Sequence, residues 1–96
     1  MGTAHLTAMF DERKRKQNER KFGSWEELPD GGRRYRYEVQ GRHGWRAVYV
    51  KEVDASEVTG RFLQEIYDDQ GVLVEIHEKY PVDKGHRRLS SAGEPS

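Results

Sequence analysis

Cysteine is absent from the sequence, and nothing in such a chain argues for a disulfide framework or an oxidising compartment. No apolar run reaches the length of a signal-peptide core or a membrane span. A soluble cytoplasmic protein without membrane association is expected, and no residue pattern asks for a cofactor. Apolar residues are scarce as well. They make up 33% of the 96 residues at a mean hydropathy of −1.07, which limits the chain to one small domain with a thin core. An excess of one charge sign is also missing, since 17 basic and 17 acidic side chains cancel. Their distribution is uneven: residues 1–53 carry 12 basic against 8 acidic groups and residues 54–96 carry 5 against 9. Such polarity suits a basic partner site on the first half or self-association, so a homodimer or a protein partner is one expectation.

The densest aliphatic stretch present is Arg61 to Tyr80, RFLQEIYDDQGVLVEIHEKY. It reads as two strands joined at Asp68-Asp69-Gln70-Gly71, with Gly71 left-handed after a type I bend. That turn predicts Ile66 opposite Val74 and Gln64 opposite Ile76. Phe62, Ile66, Val72, Val74 and Ile76 would then share one face, and Glu75 would stand across from Glu65 on the other. A rival reading makes residues 55–69 one amphipathic helix, from Val58, Phe62 and Ile66 at spacings of four. Gly60 in its interior counts against that helix.

Upstream, Arg33 to Val53 alternates with Tyr and Val enrichment and reads as a second hairpin. A two-residue Arg42-His43 loop would group Tyr35, Tyr37 and Val39 with Val48 and Val50. A loop one residue longer, with Gly44 left-handed, would group them with Trp45, Ala47 and Tyr49. The fold class expected is α+β, mainly β: a four-stranded antiparallel meander with strands near 33–40, 45–53, 61–68 and 72–79. A short N-terminal helical segment and a disordered C-terminal tail complete it. The boundaries are a basic helical or flexible segment at 1–23, a β-rich domain at 24–89 and a tail at 90–96. Within the first segment Leu6, Met9 and Phe10 form a short stripe, whereas residues 11–21 hold no apolar residue. Ser24 and Glu27 have capping-box spacing for one helical turn before Pro29. Asp54 to Gly60 reads as another single turn capped by Asp54. Trp25 reads as a lid over one end of the core.

Three constellations bear on chemistry. The third is the turn over residues 81–88, whose backbone N–H groups and flanking cations suit a phosphate but which lacks the Walker pattern and reads as a surface loop. Clustered cations release counterions from nucleic acid, and aromatic rings stack on unpaired bases. Arg13, Lys14, Arg15 and Lys16, in a basic run that continues to Arg20 and Lys21, are therefore candidate contacts to single-stranded RNA or DNA. Arg34, Arg36 and Arg46, set among Tyr35, Tyr37, Trp45 and Tyr49, join them. No RNP, KH or zinc-knuckle motif accompanies these residues. The second constellation is Glu75-x-His77 on one strand face, with Asp83 and His86 a short loop away. Glu75, His77 and His86 are candidates for acid–base work on a phosphodiester, with Arg87 or Arg88 for developing phosphorane charge. No metal site is assigned.

Asp30-Gly31-Gly32, Tyr35-Arg36-Tyr37, Ile66 to Val74 and the closing Pro81…Gly85-His86 occur in an order that resembles small prokaryotic β-meander domains, among them the TumE-type toxin–antitoxin proteins. The resemblance spans roughly residues 30–86 and implies a β-rich module, with a toxin-like ribonuclease, metal-dependent or acid–base, as the alternative to a plain binding module. That family's ending is His-rich, whereas His86 here has no neighbouring histidine, so no catalytic residue is carried over.

Overall fold

A computed structural model describes the backbone of residues 2–89 and the side chains of residues 12–89. One helix, α1 (Gly2–Phe22), precedes six strands: β1 (Ser24–Glu27), β2 (Arg33–Gln40), β3 (Arg46–Val53), β4 (Thr59–Tyr67), β5 (Leu73–Tyr80) and β6 (His86–Arg88). They form one antiparallel sheet in sequence order, β1-β2-β3-β4-β5-β6. The class is mainly β as expected, but the strand count is six rather than four. The expected tail at 90–96 and the Leu6, Met9, Phe10 stripe lie outside the described residues and side chains.

Both extra strands satisfy backbone groups that a four-stranded sheet would leave open at its edges. Ser24–Glu27 is not the helical turn its capping-box spacing suggested. It lies along β2, with Trp25 opposite Tyr35 and Glu27 opposite Arg33. β6 folds back on β5, with Glu75 opposite Arg88 and His77 opposite His86.

Local chemistry sets the turns. Three of the connections share one construction, in which the amide of the first residue donates to the carbonyl of the fifth and the fourth donates back to the first: Leu28–Gly32, Asp54–Val58 and Asp68–Val72. The fourth residue is left-handed in each, Gly31 at φ 86°, Glu57 at φ 63° and Gly71 at φ 78°. Asp54 and Asp68 each accept two further amides on Oδ1, at 2.8–3.0 Å. Asp54 to Val58 is thus a hairpin turn, not a capped helical turn, and β4 replaces the alternative helix over 55–69. Gly44 is left-handed at φ 79°, so the longer loop holds in the first hairpin, and Tyr37 pairs with Tyr49 and Val39 with Ala47.

The second hairpin starts as expected, with Gly71 left-handed and Tyr67 opposite Leu73, and then departs. Bulges at Val74 and Lys79 each add a residue to β5, so Ile66 faces Glu75, Gln64 faces His77 and Phe62 faces Tyr80. The all-apolar face predicted for this hairpin does not form. Glu65 lies opposite Ile76, on the other side of the sheet from Glu75.

Each face has its own small core. Tyr35 and Val53 are buried under α1 together with its own Phe22, with Tyr49 and Phe62 against them. On the outer face Val48, Val50 and Leu63 are buried with Tyr67 beside them. Among the described residues no helix covers that side. Cross-strand pairs lie over it instead: Arg34 with Glu26 and Glu52 (2.7 Å each), Arg61 with Glu78 (2.9 Å), and Arg46, whose guanidinium sits 4.7 Å from the Tyr67 ring centre.

Candidate functional site

The helix face is where the architecture leaves unsatisfied chemistry. Residues 12–21 are polar around the helix, yet α1 docks, because its contacts are polar too. Glu57 is buried, and its carboxylate accepts hydrogen bonds from Arg15 Nε (2.9 Å), Asn18 Nδ2 (3.0 Å) and Tyr35 Oη (2.7 Å). Burial pushes the Glu57 carboxyl up, but these three donors outweigh it and hold it below the ordinary glutamate range. Burial and the same contact push the Tyr35 phenol up. Glu19 adds an ion pair to Arg33 at 2.7 Å, and Phe22 closes the helix against Tyr35 at a ring separation of 5.6 Å. Trp25 touches Tyr35 at 6.0 Å with Arg33 above it, but it stays exposed, so it borders the core rather than closing it as the expected lid.

Beyond the helix the face is open and aromatic. Tyr37, Tyr49 and Phe62 form a continuous strip across β2, β3 and β4, with ring centres 6.4 and 6.2 Å apart and the second pair stacked. A cavity of about 430 Å³ over the strip is lined by these rings, Phe22, Lys21 and Lys79, and one of about 390 Å³ continues past Lys51, Val58 and Tyr80. The bulge in β5 puts Lys79 and Tyr80 on this face together. The Lys79 ammonium lies 5.2 Å from the Tyr49 ring centre and 5.9 Å from that of Phe62. Burial and then the nearby Lys21 charge pull the Lys51 amine down, and its Nζ donates to Asn18 at 2.9 Å. Among the described residues, Lys21, Lys51 and Lys79 form no ion pair.

The cations singled out in the sequence separate into two groups. Arg34, Arg36 and Arg46 point to the outer face and meet carboxylates, Arg36 with Glu26 and Arg46 with Glu38 at 3.5 Å. Arg15 is held by Glu57, while Arg13, Lys14 and Lys16 lie along α1, Lys14 beside Asn18, Lys51 and Glu57. Tyr35 is fully buried. Lys21 belongs to the basic run in the sequence, whereas Lys51 and Lys79 come from two other elements and stand outside any cluster of cations in the sequence. The β5 bulge that turns Lys79 inward leaves no mark in the residue pattern.

At the far end of the same face the second constellation assembles. Glu75 Oε2 lies 2.7 Å from His86 Nδ1, His77 Nε2 lies 2.6 Å from Asp83 Oδ1, and the two imidazole centres are 4.3 Å apart. The Gly85 amide and then His77 hold the Asp83 carboxyl below its ordinary range. Both nitrogens of His77 are committed or enclosed, since Nδ1 is buried without a hydrogen-bond partner. His86 is about half exposed. Register puts Arg88 on this face beside Glu75, and Arg87 on the other opposite Ile76. Among the described residues no group of three or more His, Cys, Asp or Glu is placed to hold a metal ion, and no helix is long and apolar enough to cross a membrane.

No family model, curated protein or solved structure matches the chain.

Proposed function

We propose that this is a small binding module for single-stranded nucleic acid, and that the ligand lies on the helix face across Tyr37, Tyr49 and Phe62. The observation that carries this reading is the contrast between the faces. On the outer face Arg34, Arg36 and Arg46 are paired with carboxylates, whereas the aromatic strip is bordered by Lys21, Lys51 and Lys79, which form no salt bridge among the described residues. Lys51 and Lys79 have only the longer-range charges of Glu57 and Asp83 nearby. Unpaired bases offer π faces to the rings, and phosphates meet the ammonium groups. Lys79 then moves its charge from the Tyr49 and Phe62 rings to a phosphate as a base takes its place. Arg13, Lys14 and Lys16 extend the positive surface along α1.

Fluorescence anisotropy with an end-labelled 2′-O-methyl RNA tests the surface. The expected result is saturable binding that weakens steeply with salt, with Tyr49→Ala costing about 1–3 kcal/mol of affinity. Light scattering in the same buffer addresses a second copy as occupant. A dimer whose mass persists while no oligonucleotide binds would overturn the reading in favour of self-association. The toxin-like ribonuclease is a second reading, favoured by the Glu75–His86 contact on this same face.

A further inference from the structure

The strand order sets Tyr37, Tyr49, Gln64, His77 and His86 opposite one another in a single row across five strands. At about 4.8 Å per strand the row is roughly 19 Å long, so a nucleic-acid chain lying on the aromatic strip runs towards the imidazoles. Beside the row's end lies a separate cavity of about 360 Å³ lined by Trp45, Val74, Glu75, Arg88 and Leu89. That volume falls within the range of small-ligand sites. Trp45 gives it a ring and Arg88 a cation.

We infer that this corner is a ribonucleolytic site in which His86 is the general base, Glu75 positions it, and one nucleotide of a bound RNA seats against Trp45 and Arg88. The inference rests on the single-strand binding proposed above. Glu75 accepts from Nδ1–H of His86, which leaves the Nε2 lone pair of that ring as the base. His86 Nε2 takes the proton of a ribose 2′-hydroxyl, and the 2′-oxygen forms a bond to the adjacent phosphorus. The bond from phosphorus to the 5′-oxygen breaks, and water protonates the departing oxygen. The hydroxide left behind takes the proton back from His86. The products are a 2′,3′-cyclic phosphate and a 5′-hydroxyl, with no metal, oxidant or second substrate in the balance. Arg88 faces the phosphate charge that develops. His77 is excluded as the base by its own geometry, with Nε2 on Asp83 and Nδ1 enclosed. Its part is to hold the 81–85 loop and the His86 ring in place.

The test uses the full chain with a 5′-labelled single-stranded RNA and the matching 2′-O-methyl strand, with product ends identified by mass spectrometry and fold checked by circular dichroism. Wild type is expected to bind both strands, and to cut only the RNA into cyclic-phosphate and 5′-hydroxyl ends. His86→Ala slows cleavage about 10²- to 10⁴-fold while still binding the methylated strand. Glu75→Gln, which keeps size and shape, lowers kcat with KM for RNA unchanged, a split that a general loss of structure would not produce. Binding of both strands with no cleavage overturns the nuclease site and leaves the binding surface standing. Binding of neither strand overturns both proposals. Equal cleavage by wild type and both variants overturns the assignment of Glu75 and His86.

Discussion

Replacing Glu57 separates two opposing terms at one position. Its backbone is left-handed at φ 63°, a conformation that the sister turns give to Gly31 and Gly71. For a residue with a Cβ this costs about 1–2 kcal/mol. Against it stand three hydrogen bonds to a buried carboxylate, from Arg15, Asn18 and Tyr35. Removing one side of a buried charged network costs about 3–5 kcal/mol, and the lower end applies because Arg15 keeps a third of its side chain in water. Glu57→Ala loses the network and keeps the strain, so it should be destabilised by about 3–4 kcal/mol. Glu57→Gly loses the network and relieves the strain, leaving a deficit of about 2 kcal/mol. Urea unfolding followed by tryptophan fluorescence is suited to the comparison, because Trp25 rests on Tyr35. A Glu57→Gly protein as stable as wild type, at equal slope, would refute the claim that this carboxylate holds α1 on the sheet. Equal midpoints for the Ala and Gly variants would refute the backbone strain.

Acidification should loosen α1. The Glu57 carboxyl is depressed in the folded state, so its contribution is present above the unfolded value, near pH 4.3, and is lost as pH falls through the folded one. Glu78 and Asp83 are depressed as well, so Glu57→Gln should reduce the acid slope of the unfolding midpoint without flattening it. Gly32→Ala would place a Cβ 2.2 Å from the Val53 carbonyl oxygen, so a loss of at least about 3 kcal/mol is expected in urea unfolding. Gly71→Ala meets nothing within 4 Å and should cost only the backbone term, about 1–2 kcal/mol. In nucleic-acid titrations, Lys51→Gln with Lys79→Gln should flatten the salt dependence, the log–log slope falling by about 0.7 for each phosphate that is no longer neutralised, whereas Arg36→Gln on the outer face should leave it unchanged.

By itself the sequence determined where the two hairpins bend, and through that most of the strands. It left the register at 41–44 open and gave 54–60 the pattern of a helical turn. Asp68 to Gly71 and Gly41 to Gly44 bend the chain through side-chain oxygens and positive φ, interactions that span four or five residues and need no tertiary partner. It also placed Glu75 and His77 on one strand face near His86. Only the tertiary structure decided which face each side chain took and which cations stayed unpaired. A single bulge at Val74 moved Glu75 opposite Ile66 and carried His77 to Gln64, because strand alternation has a period of two and one added residue reverses it. Arg34 and Lys51 look alike as isolated cations. One meets Glu26 and Glu52 across neighbouring strands, while the other sits beside Phe22 and Asn18 beneath α1. That difference arises from residues distant in the chain, and only packing brings them together.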